Sequence, residues 1–103
     1  MDLTNLRAKY TTRGLDIKDL DESPFKQFEL WFNQAIEAKL TEPNAFSLAT
    51  VGNDMMPSIR TVLLKIFDEK GFVFFTNYES KKAKQIEENP KAAALFAWLD
   101  LER

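Results

Sequence analysis

Residues 57–77 read PSIRTVLLKIF, then DEKG, then FVFFTN. Two runs rich in β-branched, aliphatic and aromatic side chains flank a tight-turn signal at 68–71. The pattern predicts an antiparallel hairpin, with strand 57–67 against strand 72–77. Pairing outward from the turn sets Phe67 opposite Phe72 and Lys65 opposite Phe74. Side chains alternate along a strand, so Arg60, Val62 and Leu64 face one way and Thr61, Leu63 and Lys65 the other.

Working outward, AFSLATV (45–51) reads as a further strand closed by Gly52-Asn53-Asp54, and AAALFAWL (92–99) as a fourth. Ser23-Pro24 opens a helix over 24–40, with Ser as N-cap and Pro at the first helical position. Phe25, Phe28, Phe32, Ala35, Ile36 and Leu40 recur there at helical spacing, and Trp31 broadens the stripe. A short helix is expected over residues 2–10, with Leu3, Leu6 and Tyr10 on one side. The polar stretch after it reads as an extended arm. Residues 79–88, ESKKAKQIEE, form a helix over 80–89 that Pro90 ends. The expected order is helix, helix, β-β-β-α-β: an α+β, mainly β protein with a curled antiparallel sheet. Four strands cannot close a barrel and leave two bare edges. The chain is therefore expected to be an N-terminal piece of something longer: an arm over 1–22, a helix over 23–41, and a sheet over 45–99 that carries helix 80–89.

Composition narrows the chemistry. The 103 residues are 45% hydrophobic and 29% charged, with nine Phe, which suits one small packed domain. Cysteine and histidine are both absent. That removes disulfides, zinc sites of the usual type, Ser-His-Asp triads and Cys-His pairs. Catalysis by such a chain would draw its reactive group from a bound cofactor. No metal site is expected. The net charge of −2 argues against nucleic acid as a partner. No apolar run reaches the length of a membrane span and no signal peptide is visible, so a cytoplasmic location is expected.

The cations are unusually placed. Lys81 and Lys82 occupy the first turn of a helix capped by Ser80, where the backbone already carries partial positive charge. Each exposed cation there costs roughly 0.3–1 kcal/mol. Thr76-Asn77 leads from strand to helix, and that arrangement commonly cradles an anion. Either the lysines extend into water, or hydroxyls, amides and ammoniums converge on a phosphate. Arg60 and Lys65 leave a similar choice: they reach solvent from the strand ends, or they gather with the helix around one cleft beside aromatic side chains. Such a cleft suits a flat aromatic ligand with a phosphate tail.

RTVLLK (60–65), GFVFFTN (71–77), SKKAKQIEENP (80–90) and LFAWLDLER (95–103), in this order and spacing, closely resemble the pyridoxamine 5′-phosphate oxidase family. LRAKY (6–10), GLDIKDL (14–20) and FELWFNQAIEAKL (28–40) are similar to its N-terminal region. The resemblance implies an FMN-binding split β-barrel, a homodimer with flavin at the subunit interface, and oxidation of pyridoxamine or pyridoxine 5′-phosphate to pyridoxal 5′-phosphate by molecular oxygen. Residue by residue it implies FMN contacts at Arg60, Thr61, Val62, Leu63, Leu64, Lys65, Phe75, Thr76, Lys81 and Lys82. Lys65 is implied to bind the substrate phosphate as well, and Arg7, Ala8, Lys9 and Tyr10 to cover the substrate site. The family usually carries Arg-Lys where this chain has Lys81-Lys82, a swap that keeps charge and loses a bidentate fork. Two other readings stay open: a flavin-binding split-barrel protein of another role, such as a flavin reductase or cofactor store, and a cofactor-free interaction module with Phe-rich edges.

Overall fold

The computed structural model describes residues 1–7, 9 and 14–103. Its centre is a four-stranded antiparallel sheet built from β1 (Ala45–Val51), β2 (Pro57–Asp68), β3 (Gly71–Phe74) and β4 (Ala92–Leu95), in the order β3-β2-β1-β4. The helices are α1 (Pro24–Glu37) and α2 (Lys81–Glu88). Short 3-10 turns occupy Ile17–Asp19, within the stretch expected as an extended arm, and Leu99–Leu101. The helix expected over 2–10 is not formed by the described residues of that stretch, which hold only a turn at Thr4 and Asn5; Ala8 and Tyr10 lie outside the described residues.

One face of the sheet is the core. Phe46 pairs with Val62 and Leu48 with Arg60 across β1 and β2, while Leu64 pairs with Phe74 across β2 and β3. Phe46, Leu48 and Leu64 are buried there. α1 covers this face with its aromatic stripe: Phe28 meets Phe67, Phe72 and Phe96 edge-on, each with ring centroids 4.9 Å apart. Edge-to-face pairs of this kind add about 0.5–1.5 kcal/mol beyond area burial. Ala35 is fully buried in the same stripe, whereas Ile36, expected to join it, is half exposed.

Local chemistry ends the elements earlier than their sequence patterns suggest. α1 stops at Glu37 rather than continuing to residue 40. Lys39 adopts φ 55°, the Lys39 amide donates to the Ile36 carbonyl, and the Leu40 amide donates to the Ala35 carbonyl at 3.2 Å. That is a Schellman closure with lysine at the left-handed position. β3 ends at Phe74, not Asn77, because Asn77 turns the chain: its side chain accepts the Glu79 amide at 2.9 Å and its carbonyl accepts the Ser80 amide at 3.0 Å. β4 ends at Leu95, not Leu99, where Trp98 is drawn back to the sheet base and its indole N–H donates to the Pro43 carbonyl at 3.0 Å.

The hairpin pairs Phe67 with Phe72 as expected. Lys65 does not oppose Phe74; Leu64 does, and Ile66 pairs with Val73. Lys65 is the extra residue of a bulge, and the bulge resets the alternation so that Phe67 turns inward in place of Ile66. The opposite face of the sheet carries Ile59, Leu63 and Leu95, all exposed among the described residues, the first of them 69%.

Candidate functional site

The inner face of the sheet changes character along its length. Beyond Phe46 and Val62 the register runs to Leu48–Arg60 and Thr50–Ser58, so polar side chains follow the apolar core on one face. α2 lies over this end and lowers Gln85 into it. Gln85 and Thr50 are 5% and 3% exposed. Buried polar groups persist only when hydrogen-bonded, and these are bonded to each other. The Thr50 hydroxyl donates to Gln85 Oε1 at 2.7 Å, and Gln85 Nε2 donates to Ser58 Oγ at 3.2 Å.

Arg60 enters the same network from β2. Its Nη1 donates to Thr50 Oγ1 at 2.6 Å and to the Leu48 carbonyl at 3.1 Å, and its Nη2 donates to Gln85 Oε1 at 3.4 Å. All three acceptors are uncharged. A half-buried guanidinium with neutral partners keeps its charge uncompensated. Among the described residues three of its five N–H donors are engaged, leaving Nε and one hydrogen on Nη2. That edge of an arginine grips a carboxylate or phosphate with two parallel hydrogen bonds.

The start of α2 supplies further donors. Ser80 caps the helix: its Oγ accepts the Ala83 amide at 3.2 Å and lies 3.3 Å from Thr76 Oγ1. The amides of Lys81 and Lys82, at the first two helical positions, have no carbonyl within the helix to receive them. The first turn contains no acidic residue. At 100° per residue, the less exposed positions Lys82, Ala83, Gln85 and Ile86 form the sheet-facing stripe, with Lys82 and Ile86 at its middle. Lys82 is thus a half-buried cation on the inward side of the helix. Among the described residues its ammonium has no hydrogen-bond or ion-pair partner. Lys81 and Lys84 face the other way and line a groove of about 610 Å³ together with Asp54, Glu79 and Glu88.

The residues singled out from the sequence therefore divide. Arg60 reaches α2 through Gln85, Thr76 lies against the helix cap Ser80, and Lys82 stands in the first turn of that helix. Val62 and Leu64 share the inner face with Arg60 but belong to the core, while Thr61 and Leu63 lie exposed on the outer face. Lys65 is exposed at the bulge, five residues and roughly 15 Å along β2 from Arg60. It does not join Arg60 in one cleft. Phe75 is 70% exposed beyond the end of β3. Arg7 and Lys9 are exposed, and Ala8 and Tyr10 lie outside the described residues. Among the described residues no three carboxylates converge as a metal site.

Thr50, Ser58 and Gln85 were not anticipated. Ser58 shares the alternation of Arg60, and Gln85 stands three and four positions after the lysines; those spacings were the available signal. Nothing in the strand AFSLATV distinguishes Thr50 from a β-former chosen for propensity.

Residues 32–103 match the family described as "Pyridoxamine 5'-phosphate oxidase". A protein of Aliarcobacter butzleri named pyridoxine/pyridoxamine 5′-phosphate oxidase is 90% identical over 103 residues, 100% of this chain and 49% of its own length. The protein of that name from Crocosphaera subtropica is 70% identical over 103 residues and is covered to 48%. Among solved structures, PhzG from Burkholderia lata 383, in complex with tetrahydrophenazine-1-carboxylic acid, superposes with a TM-score of 0.77 at 29% identity, over 81% of this chain and 41% of that one.

The class defined by sheet order, helices and these likenesses is the split β-barrel, here as a curled antiparallel half with its two helices. The chain belongs to the pyridoxamine 5′-phosphate oxidase family. It spans about half the length of the curated relatives it matches.

Proposed function

We propose that this chain holds the phosphate end of FMN within an oxidase that converts pyridoxamine or pyridoxine 5′-phosphate to pyridoxal 5′-phosphate, a step in vitamin B6 salvage. The observation that carries the reading is the bond from Arg60 to Gln85. Among the described residues that guanidinium has only neutral partners, and Gln85 ties it to α2 one turn beyond Lys82. The donor set fits a phosphate monoester: the free edge of Arg60, the Lys82 ammonium, the hydroxyls of Thr76 and Ser80, and the open amides of the helix start. Two cations without an internal carboxylate balance a dianion. The names of the relatives support the substrate.

Bound flavin supplies hydride acceptance from the substrate and reoxidation by molecular oxygen to hydrogen peroxide. The chain's own part is to bind and orient. Arg60 and Lys82 fix the phosphate, and Thr61, Leu63 and the β2 backbone offer a surface for a ring lying along the strand. Lys81 is the weaker candidate, since it faces a groove with three carboxylates nearby. Lys65 stands on the outer side at the bulge, where it is free to serve a different phosphate, that of the substrate. Arg7 and Lys9 belong to the segment proposed to cover that substrate. The exposed Ile59, Leu63 and Leu95 on the outer face support a homodimer. Among the described residues no helix is long and apolar enough to cross a membrane, and a cytoplasmic location is part of the proposal.

A second reading keeps the fold and the flavin and changes the substrate. It is favoured by PhzG, a neighbour whose complex contains tetrahydrophenazine-1-carboxylic acid. The experiment is anaerobic addition of pyridoxine 5′-phosphate to the chain loaded with FMN. Bleaching of the visible flavin band supports the oxidase. A flavin that binds and stays coloured supports the second reading, and a chain that ignores FMN supports an interaction module.

A further inference from the structure

We propose that Gln85 and Thr50 are positioning residues that form a neutral clamp on Arg60, holding its guanidinium for an incoming phosphate while leaving its charge uncompensated. This rests on the reading that Arg60 faces the phosphate of FMN.

The clamp is built from three elements. β1 contributes Thr50 and the Leu48 carbonyl, β2 contributes Arg60 itself with Ser58, and α2 contributes Gln85. Gln85 Oε1 accepts both the Thr50 hydroxyl at 2.7 Å and Arg60 Nη2 at 3.4 Å. Thr50 Oγ1 in turn accepts Arg60 Nη1 at 2.6 Å. The bonds run in one direction, from guanidinium to hydroxyl to amide oxygen, and such chains polarise each other favourably. Ser58 receives Gln85 Nε2 at 3.2 Å, which sets the amide with its oxygen toward Arg60. Three of the guanidinium donors are consumed on one side, so the edge formed by Nε and Nη2 is presented on the other.

The neutrality is the functional point. An aspartate or glutamate at either position would bind Arg60 more strongly and would also cancel its charge, competing with any external anion. Thr50 and Gln85 give orientation without that competition. Gln85 lies one helical turn beyond Lys81 and Lys82, so the clamp also ties Arg60 to the helix end that bears the second cation. The ligand it selects is a phosphate monoester over the same molecule without its phosphate: FMN over riboflavin.

The test measures dissociation constants of FMN and riboflavin for the full chain by flavin fluorescence quenching. Wild type is compared with Gln85→Glu, Thr50→Val, Thr50→Ser and Arg60→Met. Gln85→Glu keeps size and acceptor and adds a counter-charge. It is expected to weaken FMN about tenfold or more while riboflavin stays within about twofold. Thr50→Val is expected to act in the same direction and Thr50→Ser to restore wild-type binding. Thr50→Ser keeps the test informative if the glutamate variant fails to fold. If Arg60→Met loses FMN and Gln85→Glu does not, the clamp is overturned while the phosphate reading stands. If FMN and riboflavin weaken together, the residues are merely structural and the clamp is overturned. If wild type shows no preference for FMN, or Arg60→Met has no effect, the phosphate reading fails and the clamp with it.

Discussion

The Glu88 carboxylate accepts the backbone N–H of Asn53 at 2.8 Å, so the last residue of α2 is pinned to the β1–β2 turn 35 positions earlier. Gly52 makes that contact possible. It is buried, and a Cβ built there runs into the Glu88 carboxylate and meets Gln85 Cγ at 3.2 Å. The turn and the helix are therefore matched in shape at the far end of the same helix that reaches Arg60.

Gly52→Ala is expected to displace Glu88 and loosen α2, with a loss of about 1–2 kcal/mol in urea denaturation. Gly14→Ala is the control, because nothing lies within 4 Å of its added Cβ. The control is expected not to destabilise the protein. Equal losses from both would mean that the fit at Gly52 contributes nothing.

Among the described residues Phe28 is the aromatic on which the largest number of rings converge, with Phe32, Phe67, Phe72, Phe96 and Trp98 all within 6 Å of it. Phe28→Ala is expected to cost about 3–5 kcal/mol, against less than about 0.5 for Phe75→Ala on the surface. Thermal melts of the two variants check the contrast.

Lys39 closes α1 in the left-handed region at φ 55° without the glycine that such a position favours. Lys39→Gly is expected to raise stability by up to about 1 kcal/mol, since relief of the Cβ strain outweighs the added freedom of the unfolded chain. A lower melting temperature would contradict that reading of the helix end.

Lys82 and Lys84 are alike in charge and differ in the side of α2 they occupy. Lys82→Ala is expected to weaken FMN binding by about 1.5–3 kcal/mol, and Lys84→Ala by much less. Isothermal titration at two ionic strengths gives both numbers. Equal effects would mean that general attraction, and not placement, brings the phosphate in.

Much of this was legible from local pattern. The strand 45–51, the turn after it, the Phe67–Phe72 pair and the Ser80 cap each rest on residues within a few positions of one another. The misses have a different origin. A bulge adds one residue without changing composition, so nothing around Lys65 announces it, yet it moves that lysine out of register. β4 is shortened by the indole of Trp98 reaching back 55 residues to Pro43. The clamp on Arg60 joins residues 10 and 25 positions away from it. Thr50 and Gln85 are ordinary choices for a strand and a helix, and their role exists only once sheet and helix are packed together.

The central claim is that Arg60 on the strand and Lys82 on the helix serve one phosphate. A double-mutant cycle on FMN affinity, with Arg60→Met, Lys82→Ala and the pair, tests it most directly. Two groups on one ligand oxygen cluster should show a coupling energy of about 0.5–3 kcal/mol. Single losses that simply add, or that are absent, would contradict it.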